Sequence, residues 1–202
     1  YQHGRDKWGD LIAAGDIAEI WLKLDEMQQK RCAYCEAAIK TDRENSNSHI
    51  EHFRQRRLTS YPQGTFLWSN LFGSCKRQDS CGKYKDDLPA YNHPDLIKMD
   101  LEDPESFLEF LPDGNAAPIK GLTPAEKHRA EETIRIFNLN GSLRQIRETA
   151  VQGYLQTAEE FAAYAEDPEI AEADWLPLLQ EELDSIKDLP FTTAIKHVLL
   201  PA

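Results

Sequence analysis

The sequence predicts a mainly α-helical chain with a small ββα metal module inserted near its N-terminus. Three observations lead there. All four cysteines fall in one grid, with two residues between Cys32 and Cys35 and five between Cys75 and Cys81. Outside that grid, apolar residues recur at three- and four-residue steps, the period of a helix face. Between the cysteine pairs, short strand-like stretches alternate with polar turns.

The elements follow in order. Trp8, Leu11 and Ile12, then Ile17, Ile20, Trp21, Leu24 and Met27, mark two helices within residues 5–29, with Gly15 as the break. Residues 36–53 suit a β-hairpin around the polar turn Thr41 to Ser48. A loop with Pro62 and Gly64 leads to a helical turn near Trp68–Phe72. Phe107 to Leu111 before Pro112-Asp113-Gly114 reads as a second hairpin. Thr123, Pro124 and Glu126 form a capping box that opens a helix to about Phe137. Leu139-Asn140-Gly141 ends it, and Ser142 caps a long helix to about Ala165. Segments 169–187 and 192–199 supply two more helices. The organisation is N-terminal helices (1–30), metal module (31–90), irregular connector with a hairpin (91–122) and a C-terminal helical region (123–202) suited to binding a partner.

Composition bounds the class. At 202 residues, with 41% hydrophobic and 9% aromatic side chains, the chain can pack a core. No apolar run approaches the ~20 residues of a membrane span, and no signal-peptide pattern opens the chain. It begins Tyr1-Gln2-His3 without Met, which reads as a fragment trimmed at its front, from a soluble cytoplasmic protein with no membrane partner. In that compartment the cysteines favour zinc over two disulfides. Net charge is −12 but unevenly spread. From Lys30 to residue 90, eleven basic side chains (Arg43 among them) against seven acidic ones leave +4, and hence −16 elsewhere. An acidic remainder repels a phosphate backbone. Either a second subunit supplies affinity, or the acidic faces serve solubility.

The grid brackets the chemistry. Four thiolates complete a tetrahedral Zn²⁺ and leave no open position, so a zinc here is structural, pinning loops that so small a module could not hold by burial. Between the pairs lies His49-Ile50-Glu51-His52-Phe53-Arg54. Phosphodiester hydrolysis needs a base near neutral pKa and a hard cation. His52 suits the first task, and Glu51 suits holding Mg²⁺ or Mn²⁺. Arg54, Arg56 and Arg57 follow for phosphate contact. The plainer reading of a lone Glu-His pair is a surface strand end.

Cys32-Ala-Tyr-Cys35-Glu36, His49 to Arg54, Trp68-Ser69-Asn70-Leu71 and Ser74-Cys75 resemble the HNH endonucleases of bacterial antiphage systems. The resemblance is greatest to the PtuB subunits of Septu and of retrons carrying a Septu-like pair. Residues 132–147 extend it beyond the module, so it covers roughly 5–150. It implies a treble-clef-like ββα-metal fold, with His52 as general base, Glu51 as metal ligand and Asn70 bracing the loop that orients the base. Glu51 and His52 would together face one scissile phosphate. Many HNH proteins place an Asn after the last cysteine to complete the metal site, and here Gly82 stands there. The second ligand then falls to Asp86, four residues on as in some relatives, ahead of His49, which shares a strand face with Glu51. Lys83 and Lys85 would meet phosphate at the mouth. The resemblance also implies an ABC/SMC-like ATPase partner (PtuA-like), a nucleic-acid substrate, DNA ahead of RNA or tRNA with phosphate chemistry leaving both open, and in retrons an assembly with a reverse transcriptase and its noncoding RNA. Trp175, Leu176, Leu178 and Leu179 could face such a partner or pack in the core. The competing reading is a non-catalytic zinc module that scaffolds the complex, for which Gly82 speaks.

Overall fold

The computed structural model describes residues 1–42, 45–57 and 59–200. Arg43 of the basic window and part of the predicted polar turn (43–44) lie outside the described residues. Among those described, eight α-helices surround two short antiparallel sheets. Among the described residues no helix is long and apolar enough to cross a membrane.

Helices α1 (Trp8–Ala14) and α2 (Ile17–Gln28) form as the periodicity predicts. Gly15 closes α1 at φ 88°, a left-handed conformation in which a side chain is strained. Two residues past α2 the chain enters the first cysteine turn, where Arg31 bridges to Ala38. Among the described residues of the 36–53 segment, the expected hairpin does not form. Strand β1 (Ser48–His52) instead pairs with β2 (Leu71–Cys75), Ser48 opposite Cys75 and His52 opposite Leu71. The helical turn expected at Trp68–Phe72 is a 3₁₀ turn over Trp68–Asn70, and Leu71 and Phe72 belong to β2. Every residue of β2 is buried, which rewards pairing across the sheet over pairing within a polar loop.

Gly73 lets α2 and the cysteine turn close on β2. A Cβ there would stand 3.0 Å from the Trp21 ring and 3.2 Å from Ile39. The Gln28 amide uses that proximity, donating to the Gly73 carbonyl at 2.9 Å and accepting its N–H at 2.7 Å. Helix α3 (Cys81–Asp87) then packs on β2.

The hairpin β3 (Leu108–Phe110) and β4 (Ala116–Pro118) and the capping box of α4 (Pro124–Ile136) appear as predicted. The long helix predicted over 143–165 is two, α5 (Leu143–Gln152) and α6 (Leu155–Glu166), broken at Gly153–Tyr154. Glycine is a weak helix former, and the break lets both helices pack against α8. Ser142 does not cap α5 through its side chain; its hydroxyl pairs with Asp79 instead. Helices α7 (Glu172–Ile186) and α8 (Thr192–Leu199) complete the chain. On α7, Leu179 is buried and Trp175 packs partly into the core, while Leu176 and Leu178 are exposed.

The core does not stop at the cysteine module. Phe137, Leu139 and Leu143 join Cys32, Tyr34, Phe72 and Cys81 in one buried cluster, with Tyr34 and Phe137 stacked at 4.0 Å. A polar clasp ties the same turn to the C-terminal helices. The Glu36 carboxylate accepts from Thr193 N at 3.0 Å and from its hydroxyl at 2.6 Å, capping the start of α8 from across the structure.

Candidate metal centre and the adjoining buried acid

Four sulfurs converge behind β2. Cys32 and Cys35 arrive on the turn after α2, Cys75 at the end of β2, and Cys81 at the first position of α3. All four are buried, unpaired by disulfides, and their sulfurs lie within 4.8 Å of one another. Zinc bound at about 2.3 Å by four thiolates sets neighbouring sulfurs about 3.8 Å apart, so the donor set fits such an ion. The five-residue spacing before Cys81 is accommodated by a left-handed backbone at Cys81 (φ 56°), held by its N–H donating to the Phe137 carbonyl at 2.8 Å. Burial pushes the Cys32 thiol up, but hydrogen bonds from the other three cysteines outweigh it and hold Cys32 well below the usual thiol range. Cys35 and Cys81 are held well above it, chiefly by Cys32. A cation is what lets thiols this crowded ionise together.

Glu51 lies beside this cluster, 1% exposed. On β1 its side chain shares a face with His49, whose Nε2 is 3.4 Å from Glu51 Oε2. Glu51 Oε1 pairs with the ammonium of Lys85, which also donates to the His52 carbonyl at 2.8 Å and to Asp86 Oδ1 at 3.0 Å. Burial resists ionisation of Glu51, but the Lys85 charge and then His49 outweigh it and hold the carboxyl below its usual range. Burial likewise opposes the Lys85 charge, and Glu51 outweighs it to raise the ammonium above its usual value. Asp86 is pushed up by burial and by the Glu51 charge. Gly82 has a steric explanation: a Cβ there would stand 2.5 Å from Glu51 Oε2, so Glu51 occupies the space a side chain at that position would need.

His52 looks the other way. Its Nε2 lies 3.0 Å from the Thr65 carbonyl, which can only accept, so Nε2 carries the proton and Nδ1 is left as the basic atom. The ring meets Trp8 of α1 edge-on at 4.8 Å. Burial above all pushes the imidazole down to about 4, so it is neutral at pH 7. Asn70 is buried between two loops. Its Oδ1 accepts from Arg54 N at 2.8 Å, and its Nδ2 donates to the Arg54 and Gly64 carbonyls, each at 3.1 Å. It thereby joins the loop after β1 to the loop that presents the Thr65 carbonyl.

Two expectations need correction. Lys85 does not stand at a mouth to meet phosphate; it is fully buried on Glu51. Glu51 and His52 do not face one cleft either, because consecutive strand residues point to opposite faces, one toward Lys85 and the other toward Thr65 and Trp8. Both candidates for the second ligand adjoin Glu51, but by different routes. His49 approaches directly, whereas Asp86 approaches through Lys85. Lys83 is half-buried, and the Arg54 guanidinium carbon stands 3.7 Å from the centre of the Tyr61 ring. Arg56 and Arg57 are exposed, the first near the Trp8 ring at 5.5 Å and the second donating to the Asp86 carbonyl. Sequence reasoning missed Trp8 and Thr65 as the surroundings of His52, since neither sits in the motif.

No protein-family model matches this chain, and no curated protein matches it.

Proposed function

We propose that this chain is a metal-dependent endonuclease of the HNH type, seen in a closed state in which the Glu51 and His52 side chains face apart and burial holds the imidazole well below neutral. In this reading, zinc on Cys32, Cys35, Cys75 and Cys81 clamps a treble-clef-like ββα module made of β1, β2 and α3. His52 is the general base, acting through Nδ1, and Glu51 is the acid that holds Mg²⁺ or Mn²⁺. The observation that carries it is the brace around His52. An imidazole fixed in one tautomer by a backbone carbonyl, on a loop pinned by a buried Asn making three hydrogen bonds, is how a base is oriented. Exposed Arg56 and Arg57 stand on the loop after β1, where a phosphate backbone would approach. Substrate would be DNA ahead of RNA, and the chain would act as the effector of an antiphage complex with an ABC/SMC-like ATPase. The acidic helices beyond residue 123, with Leu176 and Leu178 exposed on α7, are the surface for that subunit.

A second reading, a non-catalytic zinc scaffold of such a complex, is favoured by the sealed Glu51–Lys85 pair. Purified chain, alone and with a co-expressed ATPase subunit, is incubated with DNA and RNA in Mg²⁺ or Mn²⁺ beside His52→Ala. Metal-dependent cleavage lost in His52→Ala supports the nuclease. Cleavage that survives the substitution refutes the role of His52, and absence of cleavage under every condition favours the scaffold.

A further inference from the structure

The ammonium of Lys85 sits where a hard cation would. Around its Nζ stand Glu51 Oε1, Asp86 Oδ1 at 3.0 Å and the His52 carbonyl at 2.8 Å, all oxygen donors of the kind that hold Mg²⁺ or Mn²⁺. Glu51 is enclosed, and beside it His49 keeps both ring nitrogens buried without a hydrogen-bond partner. Two carboxylates face one ammonium, so the group retains one net negative charge, and a divalent ion in place of the ammonium would bring it to zero. A divalent ion and the Lys85 ammonium cannot share these oxygens, because each like charge would meet the other within contact distance.

We infer that Lys85 is an internal latch: its ammonium fills the cation seat formed by Glu51, Asp86 and the His52 carbonyl, and a divalent metal enters only by expelling it. Expulsion is a side-chain movement out past Asp86, the side of the seat whose carboxylate is partly open to solvent, while Lys85 itself is enclosed. The chain therefore holds a cationic plug that keeps the site closed until something favours the metal-bound arrangement. This inference rests on the reading of Glu51 as a cation ligand.

The test uses the full chain with its cysteine site zinc-loaded, and Mn²⁺ alone as probe, followed by calorimetry and by electron paramagnetic resonance of free Mn²⁺. Lys85→Met, which removes the charge and keeps most of the length, should bind one Mn²⁺ about tenfold or more tightly than wild type. Its Tm should rise with Mn²⁺ where that of wild type does not at the same concentration. Lys85→Arg should stay as weak as wild type, and Lys85→Met with Glu51→Gln should lose the gain. Equal Mn²⁺ affinity in wild type and Lys85→Met overturns the latch. If Lys85→Met does not retain zinc, amine footprinting of wild type decides. Lys85 should become reactive in step with Mn²⁺ uptake; uptake with Lys85 still protected, or no uptake at all, overturns the proposal. Failure here is distinguishable from failure of the nuclease reading. A Lys85→Met chain that gains Mn²⁺ but cleaves nothing keeps the latch and removes the nuclease; unchanged Mn²⁺ affinity with His52-dependent cleavage does the reverse.

Discussion

Lowering the pH should destabilise this protein through His52, by an amount the structure sets. The imidazole drops from an ordinary 6.5 to about 4, chiefly by burial beneath Trp8 and the 62–66 loop. The folded value is the lower one, so the unfolded chain takes up the proton first. Stability is complete above 6.5, falls as pH drops from 6.5 toward 4, and changes no further from this source below about 4. A separation of about 2.5 pH units at about 1.4 kcal/mol per unit gives about 3 kcal/mol. The perturbation is His52→Gln, which can still donate to the Thr65 carbonyl but does not titrate. Denaturant midpoints for both proteins across that pH range isolate the effect, because loss of the thiolates and of the Glu51 ion pair is common to both. The difference between the two curves should change by about 3 kcal/mol between pH 7 and pH 4. Parallel curves would refute the burial argument, as would a His52 titration near 6.5 by nuclear magnetic resonance.

Other outcomes follow from the same geometry. Lys85→Ala leaves the Glu51 carboxylate buried beside His49 alone, so chemical denaturation without added divalent metal should show a loss of about 3–5 kcal/mol. Gly82→Asn drives a side chain into the Glu51 carboxylate, and should lower Tm and disturb the Glu51–Lys85 pair, read by the reactivity of Lys85. Glu36→Ala removes the clasp on α8 and should cost about 1 kcal/mol, with hydrogen exchange rising first at residues 192–195. Chelating zinc should release both the cysteine turn and that clasp, so far-UV circular dichroism should lose helix signal from α8 as well as from α3. Unchanged protection of α8 in chelated protein would show that the two ends are independent.

Much of the helical frame was legible because its signals are local. Gly15 after an amphipathic turn, the Thr123–Glu126 box and the Pro112–Gly114 turn each work through residues a few positions apart. The β1–β2 pairing was not, because Ser48–His52 finds its partner beyond two loops, and its value depends on burying Leu71–Cys75 against α2. The break at Gly153 was missed because one glycine in a helical pattern is tolerated until packing selects the bend. At the site, the cysteine grid was readable from motif spacing, while Asn70 entered only through the family resemblance. Lys85 was not. A lysine on a short helix reads as solvated, and only the fold reveals that Glu51 and Asp86 draw it inward. The opposed directions of Glu51 and His52 follow from strand geometry alone, once the strand is known to run through both.

The claim beneath all of this is that four sulfurs hold one zinc and so pin β1, β2 and α3 together. Native mass spectrometry of protein purified under reducing conditions, beside the same chain with Cys81→Ser, tests it most directly. One zinc per chain with no reactive thiol is expected, and zinc lost or weakly held in the variant. A folded, zinc-free chain in which all four cysteines react with a thiol reagent would contradict it.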